Sequence, residues 1–230
     1  MIVWVLTDDR IGGNNQALAL GTIFDPNFQT KKIIYNKLAK IPNFLKGSSL
    51  IGINKKLSDP LNGEKPNLVI FAGRRLAPVA LNIKKNLNKD AKIIAIMNPN
   101  MSYSKFDFVL LPEHDRTPQN VKEKNPNIIE TIGSLNRIQD QKIKDEAEKW
   151  REEISKLPAP YISFIIGGDT KSAKIDPNEF EGICKKLSDL VKSLNGSLLI
   201  TTSRRTSQAC IEKLKENITC SSYLYDWADE

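Results

Sequence analysis

One histidine and three cysteines are too few to build a metal centre from nitrogen and sulfur ligands. Cys184, Cys210 and Cys220 form no Cys-x-x-Cys pair, and His114 stands alone. No Asp-x-Asp occurs, so no site for a divalent metal carrying a nucleoside diphosphate is indicated. The sequence also lacks Gly-x-Ser-x-Gly, a P-loop and Gly-x-Gly-x-x-Gly, which argues against hydrolase, NTPase and dinucleotide-binding readings. Aromatic residues make up only 7% of the chain and do not interleave with basic ones, so stacking platforms for nucleic acid are missing. No apolar run approaches the roughly 18 residues of a membrane span. The chain opens on strand-like Ile2-Val3-Trp4-Val5-Leu6, so a signal peptide is not expected.

What remains is an ordinary soluble composition with a basic bias. Lys and Arg total 34 against 27 Asp and Glu, a net charge of +7 that favours anionic partners without choosing among them. Cys184 and Cys210 fall on apolar helix positions, which predicts buried, reduced thiols and a cytoplasmic compartment.

Apolar, β-branched runs recur near 2–7, 31–35, 67–72, 92–97, 107–111 and 128–132, with helices or loops between them. This alternation predicts βαβ units and a parallel sheet covered on both faces. Helices are expected over 76–88 and 14–24. A polar helix over 139–157, with a thin stripe of Ile143, Ala147, Trp150, Ile154 and Leu157, ends at Pro158 and Pro160. The βαβ pattern then restarts: a strand over 161–166, a helix opened by Asp176-Pro177-Asn178-Glu179 as a capping box, and strands over 197–201 and 222–225. The expected organisation is an α/β chain with a Rossmann-like lobe over 1–135, a linker helix over 136–157 and a partial second Rossmann-like lobe over 158–230.

The candidate chemistry sits just past the strands. Phe71-Ala72-Gly73-Arg74-Arg75 and Thr201-Thr202-Ser203-Arg204-Arg205-Thr206 each place an arginine pair between a buried strand and a helix. Guanidinium groups beside a helix N-terminus suit phosphate or carboxylate. The alternative is that these arginines form surface salt bridges. Gly167 and Gly168 repeat the strand-then-glycine theme in the second lobe. After the first strand, Asp8, Arg10, Gly13 and Asn14 occupy the usual ligand position of α/β folds, with Asp8 a candidate base and Asn14 a candidate cap. His114, between Glu113 and Asp115, is a second candidate base or a solvated loop residue. The stretch 42–52 mixes apolar residues with lysines at 37, 40, 46, 55 and 56. It reads as a loop packed on the sheet or as a lip for a membrane surface or lipid-linked substrate.

Taken in order, Val5-Leu6-Thr7-Asp8-x-Arg10, Ala72-Gly73-Arg74-Arg75-x-Ala77-Pro78, Pro112-Glu113-His114-Asp115, Ile166-Gly167-Gly168 and Thr201-Thr202-Ser203-Arg204-Arg205-Thr206 resemble the bacterial branch of the mitochondrial-fission "elongated mitochondria" protein family. The resemblance covers nearly the whole chain and departs from the family at Asp9, where a glycine is expected. It implies a GT-B-like fold and a metal-independent, cofactor-free glycosyltransferase-like protein using a nucleoside-diphosphate sugar or another phosphate ligand. Asp8 or His114 would then be the base, and Arg204 with the 203–207 helix start would stabilise the departing diphosphate. The alternative it implies is a non-catalytic, membrane-associated adaptor. The family continues past a Tyr-Asp segment like Tyr225-Asp226, so a shortened second lobe is expected, with weak nucleotide-sugar binding and an open sheet edge available for homodimer pairing. A cytoplasmic protein, peripheral at the inner face of a membrane, follows.

Overall fold

In the computed structural model, which describes residues 1–115, 117–170 and 173–227, the chain divides into two compact units, Met1–Ile138 and Gln139–Glu230. Among the described residues, no helix is long and apolar enough to cross a membrane.

The first unit holds β1 (Val3–Thr7), α1 (Ile11–Phe24), β2 (Gln29–Lys32), the short α2 (Asn43–Lys46), β3 (Leu68–Ala72), α3 (Ala77–Asn86), β4 (Lys92–Ile96), β5 (Phe108–Pro112), α4 (Gln119–Lys124) and β6 (Ile128–Thr131). The strands form one sheet in the order β2-β1-β3-β4-β5-β6. Every neighbouring pair is parallel. Alternate side chains leave opposite faces of a strand. Trp4 and Leu6 therefore join Val69, Phe71, Ile93 and Ala95 against the α3 residues Val79, Ala80 and Ile83. Val3 and Val5 join Leu68, Ile70, Ile94 and Ile96 on the other face, with Ala17 of α1. Burial on both faces is why these strands read as unbroken apolar runs.

Two boundaries differ from the sequence reading. Helix α1 starts at Ile11, before Asn14, and its N-cap residue Arg10 makes no side-chain cap bond. Asn14 instead pins the preceding loop: its amide donates to the Asp8 carbonyl at 2.7 Å, and its Oδ1 accepts from the Asp8 N–H at 2.9 Å. The second strand lies at Gln29–Lys32, two residues before the expected start, and Tyr35 makes an isolated antiparallel bridge with Ile53.

The second unit holds α5 (Asp140–Ile154), β7 (Tyr161–Ile165), α6 (Pro177–Ser193), β8 (Ser197–Thr201), α7 (Gln208–Asn217) and β9 (Ser222–Tyr225). Its sheet is parallel in the order β7-β8-β9. Phe180, Cys184 and Val191 of α6 and Cys210 and Leu214 of α7 close over Leu198 and Ile200. Cys184 and Cys210 are fully buried, as expected. Burial, then the neighbouring Cys210, raises the Cys184 thiol to about 11. It stays protonated and inert at neutral pH. Helix α5 belongs to this unit, and its Trp150 meets Tyr223 and Tyr225 edge-on at 5.8 and 5.5 Å.

Both ends of α6 follow local chemistry. Asp176 caps it by accepting from the Asn178 N–H at 2.8 Å, a simple cap on the second helical residue in place of the bond to Glu179 that a capping box predicts. Asn195, at φ 51°, takes the left-handed position that ends the helix. The Gly196 N–H bonds the Val191 carbonyl and the Asn195 N–H bonds that of Lys192, both at 3.1 Å, which is a Schellman closure.

Candidate functional site

In an open parallel sheet, ligands sit beyond the carboxyl ends of strands where the chain reverses its winding direction. In the first unit that point lies between β1 and β3. From β1 the chain steps to β2 on one side, and every later strand adds on the other. The loop after β1 carries Asp8, Asp9 and Arg10. The turn after β3 carries Gly73, Arg74 and Arg75. Gly73, at φ 80°, makes the turn, and its N–H bonds the Ile96 carbonyl at 2.8 Å.

The two arginines of this turn have different fates. Arg75 folds back: its Nη2 reaches Asp8 Oδ2 at 3.1 Å and also pairs with Asp9. Its guanidinium lies 4.3 Å over the Tyr35 ring. The Tyr35 hydroxyl donates to the same Asp8 oxygen at 3.2 Å, while Asp8 Oδ1 accepts from the Arg10 N–H at 2.8 Å. The Asp8 side chain is only 4% exposed. Burial, then the Asp8 charge and hydrogen bond, push the Tyr35 phenol far above its ordinary value, so it remains a donor. Arg75 Nε is buried without a hydrogen-bond partner among the described residues. Such an orphan donor costs about 1–3 kcal/mol.

Arg74 is exposed, and among the described residues its guanidinium makes no ion pair. It lines a cavity of about 390 Å³ with Arg10, Lys40, Lys46, Arg75, Asn43 and Asn100. Asn43, 5% exposed, fixes this wall by donating to the Arg74 carbonyl at 2.6 Å and the Pro99 carbonyl at 3.0 Å. Lys46, 6% exposed, donates to the Ala39 carbonyl at 2.9 Å. Burial, then the Arg74 charge, lower its pKa. Lys40, Lys46, Asn43 and Tyr35 were not singled out as site residues from sequence. Their role comes from packing of the segment between β2 and β3, where only the density of lysines gave a signal.

His114, 63% exposed, sits between Glu113 and Asp115 in a 3₁₀ turn (Glu113–Asp115) at the carboxyl end of β5, 3.9 Å from Asp115 Oδ1. All three residues are exposed. Asp8 and His114 share one edge of the sheet, but β1 and β5 are three strand steps apart, about 14 Å at the usual spacing. The two candidate bases do not meet. Gly13 lies in the first turn of α1 against Ala72 and Met97.

In the second unit the expected helix start at 203–207 is a turn, and α7 begins at Gln208 with Ser207 as its cap, accepting from the Cys210 N–H. The turn is closed by Thr206. Its hydroxyl accepts from the Ser203 N–H at 2.9 Å and donates to the Gly167 carbonyl at 2.8 Å. The Asp169 N–H bonds the Arg205 carbonyl at 3.0 Å, so the glycine loop after β7 and the arginine turn after β8 interlock. Gly168 permits it: a Cβ there would fall 2.0 Å from the Arg205 carbonyl carbon and oxygen. Arg204 and Arg205 are exposed, with no ion pair to any described residue.

The fold has solved counterparts. UDP-GlcNAc 2-epimerase from Neisseria meningitidis, bound to UDP-GlcNAc, superposes with a TM-score of 0.51 at 10% identity, covering 98% of this chain and 72% of that one. The Methanocaldococcus jannaschii enzyme of the same name gives 0.54 at 12% identity, over 98% and 73%. These likenesses concern the fold, a GT-B-like, Rossmann-like architecture. In sequence, the chain is 31% identical to an uncharacterized protein of Rickettsia prowazekii, over 98% of this chain and 71% of that protein. It is 23% identical to the mitochondrial fission protein ELM1 of Arabidopsis thaliana, over 70% of this chain and 42% of the plant protein. Residues 12–230 match the family model for mitochondrial fission ELM1, and the chain belongs to that family.

Proposed function

We propose that this chain provides a metal-independent, GT-B-type glycosyl-transfer scaffold for a nucleoside-diphosphate sugar. The observation that carries the reading is the interlocked pair of turns after β7 and β8. It holds Arg204 and Arg205 at the carboxyl ends of two parallel strands, without ion pairs to described residues. A diphosphate placed there meets two adjacent cations on a fixed turn where negative charge develops as the sugar departs. The hydroxyls of Ser203 and Thr206, 3.1 Å apart, line the same turn.

The first unit takes the acceptor at the carboxyl edge of its sheet. Asp8 already accepts from Arg10, Arg75 and Tyr35, so its role in this scheme is to hold Arg75 and the β1 loop. Proton transfer from an acceptor hydroxyl falls to His114, whose imidazole is open to solvent.

Thermal denaturation with a panel of nucleoside-diphosphate sugars tests the reading. A ligand at a hundred times its Kd adds about 2.7 kcal/mol of stability. Stabilisation by one nucleotide class, lost in Arg204→Ala, is the expected result. No stabilisation by any nucleotide sugar, or stabilisation that survives Arg204→Ala and Arg205→Ala, would overturn it. A membrane-associated adaptor is the second reading, favoured by one observation: Phe44 and Leu45 are 78% and 65% exposed on the lysine-bearing segment 37–56.

A further inference from the structure

The cavity beside the β1/β3 switch point carries an excess of charge that the first unit does not balance. Arg10, Lys40, Lys46, Arg74 and Arg75 line it, and no acidic side chain does among the described residues. Arg75 is matched by Asp8 and Asp9. The other four cations make no ion pair with any described residue. Lys46 is the telling member. It is almost wholly buried, within electrostatic reach of Arg74, and satisfied only by a neutral carbonyl. Burying an ammonium beside a guanidinium is unfavourable unless an anion joins them.

We propose that this cavity is a second anion site, separate from the turn at Arg204, and that it binds a phosphate-bearing molecule. Arg74 and Lys40 are the accessible contacts, Lys46 is the buried charge beneath them, and Arg10 closes the β1 side. Four unmatched cations suit a phosphomonoester or diphosphate better than a single carboxylate. The cavity volume of about 390 Å³ accommodates such a group with part of the molecule that bears it. That this molecule is the glycosyl acceptor rests on the transfer reading above; the anion site itself does not. The phosphate has two sources, a free small molecule or a lipid headgroup. The exposed Phe44 and Leu45 belong to the same short helix as Asn43 and Lys46.

The test uses the full chain, with inorganic pyrophosphate followed by calorimetric titration and vesicles followed by sedimentation. Pyrophosphate is expected to bind the wild type. Arg74→Ala and Lys40→Ala should each weaken it about tenfold, equivalent to about 1.4 kcal/mol, and Arg204→Ala should leave the Arg74-dependent binding in place. Lys46→Met is the stronger perturbation but removes the amine that satisfies Ala39, so the two surface variants carry the test. Binding to phosphatidylcholine vesicles doped with phosphatidic acid, lost both in Arg74→Ala and in Phe44→Ser/Leu45→Ser, assigns the phosphate to a lipid. Pyrophosphate binding without vesicle binding assigns it to a free molecule. If neither probe binds, or binding is unchanged in both Arg74→Ala and Lys40→Ala, the site is refuted. Arg74-dependent binding without any nucleotide-sugar effect would refute the transfer reading and leave this site standing.

Discussion

Replacing Gly168 by alanine tests the interlock on which the second unit's site depends. The added Cβ would lie 2.0 Å from the carbonyl carbon and oxygen of Arg205 and 2.5 Å from the Thr206 nitrogen. Carbon atoms in contact sit near 3.5–4.0 Å, so one turn must retreat by more than about 1 Å. That movement breaks the Asp169 N–H bond to the Arg205 carbonyl and the Thr206 hydroxyl bond to the Gly167 carbonyl. Overpacking costs about 1–3 kcal/mol and each of the two lost hydrogen bonds about 1 kcal/mol more, giving roughly 3–5 kcal/mol in all. For a unit of this size each kcal/mol lowers Tm by about 4–8 °C, so calorimetry should show the second unit's transition falling by at least about 10 °C. Nucleotide-sugar stabilisation should vanish with it. The neighbouring glycine supplies the control. A Cβ at Gly167 meets nothing within 4 Å, and its backbone is not in the left-handed region. Gly167→Ala should be neutral or stabilising by about 0.4–1 kcal/mol through the unfolded chain. Equal melting of the two variants, or Gly167→Ala as the less stable, would refute the interlocked geometry.

Asp8→Asn should destabilise the first unit by about 2–3 kcal/mol in urea titration. This is below the figure for a fully buried pair because Arg75 keeps Asp9, and Asp8→Asn/Arg75→Met should recover part of the loss. Asp107 shows how acid should act. Burial pushes its carboxyl up, but hydrogen bonds from Lys84, the Ile93 N–H and Lys92 outweigh that and hold it below its ordinary 3.8. Its stabilisation is therefore complete above that value and lost as pH falls through the folded pKa. The stability gap between wild type and Asp107→Asn should close on acidification, and a gap independent of pH would contradict the pairing. Asp176→Ala removes the α6 cap and should cost about 1 kcal/mol by the same titration.

The central strands β1, β3, β4 and β5 and the helices α3 and α6 were legible because each carries its own signal: apolar runs for strands buried on both faces, strict helical spacing and end chemistry for α6. Strand β2, the polar Gln29–Lys32, carries no such run and was misplaced. The start of α1 was not. Arg10 is no cap, and Ile11-Gly12-Gly13 is a poor opening for a helix, so Asn14 looked like the boundary. It is the β1 loop that needs Asn14, through two bonds to the Asp8 backbone. The site divides along the same line. Gly73, Arg74, Gly168 and Arg204 could be found because strand–turn–helix patterns are local. Tyr35 and Asn43 could not, because their contacts with Asp8, Arg74 and Pro99 span long stretches of chain and nothing adjacent to them in sequence specifies the partner.

The two arginine pairs look alike in sequence and differ in what the fold does with them. After β8, Arg204 and Arg205 are left without ion pairs to described residues, and the turn is set by the hydroxyls of Ser203 and Thr206. After β3, one arginine is removed from service. Arg75 is stacked on Tyr35 and tied to Asp8, at a cost that includes its orphaned Nε–H. A turn that only needed a cation on its surface would not need that arrangement, since an exposed pair contributes little. What the half-buried Arg75 does is fix the β1 and β3 loops to each other across the switch point. Arg10 and Arg74 then face the same cavity from its two sides, with Lys40 and Lys46. In this first unit, therefore, the arginine spent on structure stands next to the arginine that we propose meets an anion.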